Sequence, residues 1–269
     1  MIEPLHRLTA HRAMMPLTAR VIRARLVRES AVFFAAEALR PPGVRVYAIR
    51  ESGVRVAVRH RSADSATLAE VFHHRWYDPP AEVVEALGEP LAILDLGANI
   101  GMFGALAVTR WPASRIVGYE PDPANAAVHE RTIAANGLAE RWSLVLAAAG
   151  AREREVRFAA GLNASSHLLD DDSGDTPATI SVACHDVLGV LGEADLVKMD
   201  IEGGEWEILA DPRFAAHPPR VIVLEYHPAG CPGSDPRAAA QNALAAAGLR
   251  VSPIWQGDDG VGMLWAWRP

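Results

Sequence analysis

The segment 91–104, with the sequence LAILDLGANIGMFG, constrains the fold of this chain more than any other. Four apolar residues lead into Asp95, and glycines follow at positions 97, 101 and 104 before an apolar helical pattern resumes. This order predicts a buried parallel strand, a tight turn and the start of a helix. Glycine lets the backbone turn sharply and approach a ligand closely, and a helix start leaves N–H groups free to bind it.

The next apolar strand, IVGYE, ends at Glu120. An acid about 20 residues beyond a glycine-rich turn is placed to accept hydrogen bonds from ribose hydroxyls, so the two segments together predict a nucleoside-cofactor site. Asn99 stands where a dinucleotide-binding turn has its second glycine, and a side chain there crowds a pyrophosphate. We therefore expect S-adenosylmethionine, whose amino-acid tail suits polar partners, rather than NAD.

Composition limits the classes of protein to consider. At 269 residues, half of them hydrophobic, the chain is long enough for one large domain with an extension. We expect the division to fall between an N-terminal part, 1–80, and a catalytic part, 81–269. The net charge of −7 argues against a general affinity for nucleic acid. Two cysteines are too few for a disulfide framework or a Cys-rich metal site.

The sequence also favours a cytoplasmic protein that does not insert stably into a membrane. No apolar run reaches the ~18–20 residues that a membrane span requires. The first residues, MIEPLHRLTAHR, lack the apolar core of a secretory signal.

The N-terminal region, 1–40, is predicted to be helical and is rich in arginine. It could lie on a membrane or mimic a transit peptide, but a helical cap on the catalytic part, or on a second subunit of a homodimer, is the preferred interpretation. Alternation in 44–49 and 54–59 predicts a β-hairpin, and a helix over 66–76 follows, capped by Ser62 or Asp64.

Strands and helices then alternate, which is typical of a parallel sheet covered on both faces. A final antiparallel hairpin completes the Rossmann-like layout of class I methyltransferases, an α/β fold with a mostly parallel seven-stranded sheet. An insertion interrupts this pattern, and its polar loop, 159–178, is a candidate lid over the site. The acidic run Asp170–Asp172 lacks EF-hand spacing and is interpreted as a solvated loop. The predicted strands are 91–95, 116–120, 142–147, 195–200 and 220–225, and the predicted helices are 101–110, 123–135, 204–210 and 236–247.

Polar residues at the carboxyl ends of the fourth and fifth strands should converge at one edge of the sheet. VKMDIEGGEWEIL carries Asp200, Glu202 and Glu205, and LEYHP carries Glu225 and His227. Such a cluster could hold a positive substrate, a divalent metal or a general base, although Glu205 could simply complement a helix dipole. We expect Asp200, Glu202 and His227 to be catalytic and Glu205 and Glu225 to bind substrate. A metal such as magnesium is not expected, but Asp200 and Glu225 would be its ligands.

DLGANIG, the acid of GYEPDP, VKMDIEGGEWEIL and LEYHP, in this order, resemble the FkbM-type S-adenosylmethionine-dependent methyltransferases. The segment 61–79 is similar to the stretch that precedes the cofactor turn in that family. The resemblance implies methyl transfer to a hydroxyl of a small molecule, namely a sugar, a glycoconjugate or a polyketide-type natural product. It also implies a set of cofactor contacts, which are Asp64, Tyr77, Asp95, Gly97, Asn99, Gly101, Glu120 and Pro121.

Three other functions stay open at this point. Acids at the rim could instead hold an amine, which would make the enzyme an N-methyltransferase. The chain could also bind the cofactor without turnover. A nicotinamide-dependent oxidoreductase on a similar fold is disfavoured by Asn99 and by the terminal hairpin.

Overall fold

A computed structural model describes residues 17–160, 167–168 and 179–269. The expectations for residues 1–16, for the run Asp170–Asp172 and for most of the proposed lid lie outside the described residues. Among the described helices, none is both long enough and apolar enough to cross a membrane.

The described residues of the N-terminal part begin with two helices, in the region 1–40 that the sequence predicts to be helical. The chain leaves the first helix at Val27, which forms a β-bridge with Ile49, and the second helix starts at Ser30. The third helix starts at Asp64, and there the hydroxyl of Ser62 accepts the Asp64 N–H. The elements are α1 (Leu17–Leu26), α2 (Ser30–Leu39), β1 (Val44–Ala48), β2 (Arg55–Arg59), α3 (Asp64–Phe72) and α4 (Ala81–Ala86).

The helix predicted over 66–76 is therefore shifted towards the N-terminus, and Asp64 does not cap it. Its carboxylate instead binds the backbone and guanidinium of Arg59, with the closest contact at 2.8 Å. This ion pair is buried on the Asp64 side, and it ties the end of β2 to the start of α3.

Two sheets follow, built from the strands β3 (Ala92–Leu96), β4 (Arg115–Tyr119), β5 (Trp142–Val145), β6 (Ala148–Gly150), β7 (Arg154–Ala159), β8 (His167–Leu168), β9 (Thr179–Asp186), β10 (Leu196–Met199), β11 (Val221–Tyr226), β12 (Arg250–Gln256) and β13 (Gly262–Trp267). Within the described residues, the central sheet has seven strands in the order β12-β13-β11-β10-β3-β4-β5. β13 pairs antiparallel with both β11 and β12, and the other pairings in this sheet are parallel. The central sheet is thus the predicted mostly parallel sheet with a terminal hairpin.

A smaller sheet with the order β6-β9-β7-β8 forms from the predicted insertion. The sequence predicts one strand over 142–147, but the chain leaves the central sheet after Val145 and enters the smaller sheet at Ala148. Cys184 on β9 is buried against Gly150 of β6, and both cysteines are free thiols.

The helices that follow are α5 (Met102–Arg110), α6 (Pro123–Asn136), α7 (Leu188–Leu191), α8 (Glu205–Ala210), α9 (Pro212–Ala216) and α10 (Pro236–Ala246). Four of them, α5, α6, α8 and α10, lie at nearly the predicted positions, whereas the short helices α7 and α9 were not predicted. The carboxylate of Asp122 caps α6 by accepting the N–H of Ala124, and Gly137 ends the helix in the left-handed conformation. These local signals explain why the predicted helix ends are accurate here.

Two buried apolar clusters cover the two faces of the central sheet. One is continuous from Phe33 and Val58 in the N-terminal part to Ile93 and Val223 in the sheet. The other packs Leu96 and Leu224 against helices on the opposite face. Because the first cluster crosses residue 80, the N-terminal part shares a core with the central sheet, and its status as a separate domain stays a prediction.

Candidate functional site

The turn between β3 and α5 passes close to the end of β10. Gly97 has a φ of +75°, and a Cβ added there would lie 1.8 Å from the backbone oxygen of Asp200. Gly101 has a φ of +83°, and a Cβ there would lie 2.5 Å from the ring of His129. Asn99 between them also has a positive φ, of 48°. The glycines are therefore required both for the backbone conformation and for space.

Glu120, at the end of β4, holds this turn in place. Its Oε2 accepts the N–H of Asn99 at 2.7 Å, and its Oε1 accepts the N–H of Asp122 at 2.8 Å. Burial raises the pKa of Glu120 to about 7, despite these hydrogen bonds, which lower it. Oε2 has a second lone pair beside the one that accepts the Asn99 N–H, so the group can still receive a ribose hydroxyl.

His129 lies beneath the turn, and the sequence analysis missed it. The ring is fully buried on α6, and its edge meets Trp142 at a centroid distance of 5.2 Å. Burial lowers the pKa of His129 to about 4, so the imidazole is neutral near pH 7. Its position on the inner face of a helix is a common pattern, and only the contact with Gly101 reveals its relation to the cofactor turn.

Lys198 is a second buried group that the sequence analysis missed. It pairs in register with Asp95 on the neighbouring strand. Its ammonium donates to the carbonyl of Gly97 at 2.7 Å and lies 3.5 Å from Asp95 and 3.7 Å from Asp200. Burial alone would lower the pKa of Lys198, but the charges of Asp95, Asp200 and Glu225 raise it. The sequence feature that could have indicated this residue is a lysine inside the otherwise apolar strand LVKM.

Asp95 itself is fully buried, and burial raises its pKa. Its side chain has no contact with solvent. It is connected to the turn through Lys198, which lies near Asp95 and donates to the carbonyl of Gly97. Tyr77 packs on Phe103 of α5 with an interplanar angle of 61°. Both rings line a cavity beside the turn, together with Gly97, Asn99, Lys198, Asp200 and Glu225.

The remaining predicted cofactor residues are less directly placed. Asp64 is bound to Arg59, whose guanidinium also donates to the side-chain oxygen of Asn125 at 2.7 Å. Asn125 in turn reaches Oε1 of Glu120 at 3.5 Å. Asp64 is thus linked to Glu120 through two side chains, and Pro121 is half-buried directly after Glu120.

The predicted rim cluster forms at the ends of β10 and β11. Nε2 of His227 lies 3.4 Å from Glu202, 3.7 Å from Asp200 and 3.8 Å from Glu225. Glu202 adopts a φ of +54°, an unfavourable conformation for a side chain of this kind that aims its carboxylate at the cluster. Burial alone would lower the pKa of His227, but the hydrogen bond to Glu205 and the charges of Glu202, Glu205 and Asp200 raise it to about 9.

Glu205 lies on the other side of the histidine, away from the cavity lining. It is fully buried, and its oxygens accept N–H groups of His227 and Gly203. This placement does not match the predicted contact with substrate, and it exceeds a simple helix-dipole role. Among the described residues, Asp200, Glu202 and His227 form a group of possible metal ligands whose ligand atoms all lie within 4.8 Å of one another. The sequence analysis named Asp200 and Glu225 as the ligands of a metal.

These residues fit S-adenosylmethionine in two respects. Glu120 can accept ribose hydroxyls, and the adjoining cavity is lined by carboxylates that suit a positively charged sulfonium. Strand order and site position agree as well, since ligands of open parallel sheets bind beyond the carboxyl ends of the strands.

Comparison with known proteins gives a family. The model of the FkbM methyltransferase domain matches residues 95–239, which is more than half of this chain. No curated protein sequence matches it.

Similar solved structures include three at low sequence identity. Precorrin-6y C5,15-methyltransferase from Geobacter metallireducens is 16% identical, with a TM-score of 0.42 and coverage of 70% of this chain and 87% of that chain. TYW2 from P. horikoshii in complex with MeSAdo is 14% identical, with a TM-score of 0.39 and coverage of 83% and 69%. Cofactor-bound Rv0187 from MTB is 22% identical, with a TM-score of 0.40 and coverage of 71% and 81%.

Because the family model spans the cofactor turn, Glu120 and the rim cluster, the match covers the residues that build the site. The chain belongs to the FkbM methyltransferase family and is an S-adenosylmethionine-dependent methyltransferase.

Proposed function

We propose that this enzyme methylates a hydroxyl oxygen of a small-molecule acceptor, namely a sugar, a glycoconjugate or a polyketide-type natural product. The observation that carries the proposal is the presence of Asp200 and Glu225 in the lining of the cavity beside the cofactor turn. An aliphatic hydroxyl is a poor nucleophile, and it reacts faster when a nearby base removes its proton in the transition state. Carboxylates at this place can both orient the hydroxyl and accept that proton.

The residues divide into two functional groups. Glu120, Asn99, Gly97 and Gly101 hold the cofactor, which supplies an electrophilic methyl group when it is bound. Asp200 takes the hydroxyl proton, and Glu225 orients the acceptor. Their work is mainly alignment, because methyl transfer requires the acceptor oxygen to lie in line with the breaking bond.

His227 and Glu202 contribute through Asp200 in this proposal. His227 is only 4% exposed, and its ring nitrogen lies near the Asp200 carboxylate. It therefore fixes the position of Asp200, and Glu205 in turn fixes the position of His227. This arrangement assigns Glu205 a positioning role.

The direct test combines cofactor binding with methyl transfer. S-adenosylhomocysteine binding is measured by isothermal titration, with NADH as the negative ligand. Transfer from methyl-labelled S-adenosylmethionine is then measured with a panel of sugar and polyketide alcohols. D200N should still bind S-adenosylhomocysteine but should lose methyl transfer, whereas E120Q should bind S-adenosylhomocysteine more weakly. If D200N transfers methyl groups at the wild-type rate, Asp200 is not the base.

N-methylation is the second candidate, and the excess of carboxylates at the rim favours it. Asp200, Glu202 and Glu225 could bind an ammonium group in the same place. A parallel panel of amine acceptors separates the two candidates, because mass spectrometry of the product shows whether oxygen or nitrogen carries the new methyl group. Methylated amines without methylated alcohols would overturn the oxygen assignment.

A further inference from the structure

The rim cluster has the composition of a metal site. Asp200, Glu202 and His227 each offer one ligand atom, and these three atoms lie within 4.8 Å of one another. Ligands bound at about 2.1 Å around an octahedral ion are about 3.0 Å apart when adjacent and about 4.2 Å apart when opposite. The distances of 3.4 Å and 3.7 Å from His227 to the two carboxylates fall inside this range.

The state of the histidine is the independent observation. His227 is 4% exposed, and its Nε2 is buried without a hydrogen-bond partner among the described residues. That nitrogen faces Glu202, Asp200 and Glu225. A buried nitrogen that meets only carboxylate oxygens at 3.4–3.8 Å is placed to bind something between them.

The other ring nitrogen of His227, Nδ1, has a carboxylate partner, as is usual for histidines that bind a metal. Nδ1 lies 3.1 Å from the buried carboxylate of Glu205, which therefore accepts its hydrogen. A carboxylate on one nitrogen fixes the ring orientation, and a metal that binds the other nitrogen takes the place of its proton. The same carboxylate also accepts the His227 backbone N–H at 2.7 Å, so the ring position is set before any ion binds.

The charge of the cluster points in the same direction. Four carboxylates, those of Asp200, Glu202, Glu205 and Glu225, surround one imidazole, and the nearest ammonium, on Lys198, is shared with Asp95. Partly desolvated like charges repel, and a divalent cation compensates two of them.

We infer that Asp200, Glu202 and His227 bind one divalent transition-metal ion, with Glu205 orienting His227. One nitrogen and two oxygen ligands suit ions such as Mn²⁺ or Fe²⁺, whereas Mg²⁺ and Ca²⁺ prefer oxygen alone. In the proposed reaction the ion holds the acceptor hydroxyl beside the cofactor turn. That role rests on the proposed function, but the binding does not.

The test is electron paramagnetic resonance of the full chain, freed of metal by a chelator and titrated with Mn²⁺ alone. We expect one bound Mn²⁺ per chain, with nitrogen modulation in the echo-envelope spectrum from the His227 imidazole. The nitrogen signal is read on the wild-type protein, so it does not depend on whether a variant folds.

Variants then assign the ligands. D200N/E202Q should abolish Mn²⁺ binding, and E205Q should weaken it about 10- to 100-fold, as loss of a residue that orients a metal ligand does. E207Q, on the same helix as Glu205 but paired with Arg152 and Arg154, is the control and should bind as the wild type does.

No Mn²⁺ binding, or binding without nitrogen modulation, overturns the inference. Binding that D200N/E202Q leaves unchanged overturns it as well. Titration of the same metal-free protein with S-adenosylhomocysteine separates the two proposals. Cofactor binding without Mn²⁺ binding leaves the methyltransferase site standing and removes only the metal.

Discussion

The carboxylate of Glu205 binds His227 twice, through the backbone N–H at 2.7 Å and through Nδ1 at 3.1 Å. Its second oxygen accepts the N–H of Gly203 at 2.9 Å. One fully buried side chain therefore joins the start of α8 to the end of β11. Water cannot replace these hydrogen bonds, so loss of any acceptor exposes the full cost of an unpaired buried donor.

Glu205→Gln should lower the free energy of unfolding by about 1–3 kcal/mol, because an amide NH₂ replaces one acceptor and faces a donor. Urea denaturation measures the change. Glu207→Gln is the matched control on the same helix. It breaks partly exposed ion pairs with Arg152 and Arg154 and should cost about 0–1 kcal/mol. Equal effects of the two substitutions would contradict the role given to Glu205.

Gly97→Ala should abolish binding of S-adenosylhomocysteine and destabilise the protein by about 2 kcal/mol or more. Its methyl group would lie 1.8 Å from a backbone oxygen that has no room to move without disturbing β10. Isothermal titration and urea denaturation give the two readouts.

Gly137→Ala separates the clash from the cost of a positive φ. Gly137 has a φ of +66°, but a Cβ there meets nothing within 4 Å. The substitution should lower the free energy of unfolding by only about 1–2 kcal/mol, because alanine is less favourable than glycine in the left-handed conformation. It should leave cofactor binding intact. Loss of binding in this variant would mean that overall stability, and not the turn at Gly97, controls the site.

Binding of S-adenosylhomocysteine should tighten as the pH rises from 6 to 8. Burial raises the pKa of Glu120 to about 7 in the free protein, and ribose hydroxyls donate best to the ionised carboxylate. Below pH 7 binding must therefore release a proton, and the affinity should change by up to about tenfold per pH unit. Above pH 7 the dependence should level off.

Titration calorimetry at several pH values in buffers of different ionisation enthalpy measures both the affinity and the proton released. E120Q should bind weakly at every pH and release no proton from this site. A wild-type affinity that is flat between pH 6 and 8 would exclude Glu120 as the titrating group.

His129 and Glu120 should affect stability in opposite directions over nearly the same pH range. The pKa of His129 is lowered to about 4, so the unfolded chain binds more protons and stability falls as the pH drops from about 6.5 to 4. The pKa of Glu120 is raised to about 7, so the folded chain binds more protons and stability falls as the pH rises from about 4.5 to 7.

The two effects partly cancel in the wild-type protein, and single variants should expose them. Urea denaturation between pH 4.5 and 7 should show that E120Q loses stability more steeply on acidification than the wild type does. H129Q should show the reverse, gaining stability relative to the wild type as the pH falls. Parallel curves for all three proteins would show that neither pKa is shifted.

Much of the fold was predictable because its signals are local. The glycine turn after β3 and the two ends of α6, where Asp122 and Gly137 lie, depend on residues close in sequence, and the turn and the helix were predicted at nearly the observed positions. The errors fall where tertiary contacts compete with local pattern. Val27 leaves the first helix to pair with Ile49, and Asp64 binds Arg59 instead of capping α3. Leu146, 57% exposed, marks the point where one predicted strand divides between two sheets.

The sequence by itself determined the family, the cofactor and the residues at the strand ends, because each depends on residue types at short spacing along the chain. Only the tertiary structure decided what those residues do for one another. Lys198 contacts the carbonyl of Leu96 across 102 positions between neighbouring strands, and Glu205 contacts His227 across 22. Which carboxylate faces the cavity and which is enclosed behind the histidine depends on strand register and on the path of the turn at Gly203, and neither can be read from spacing alone.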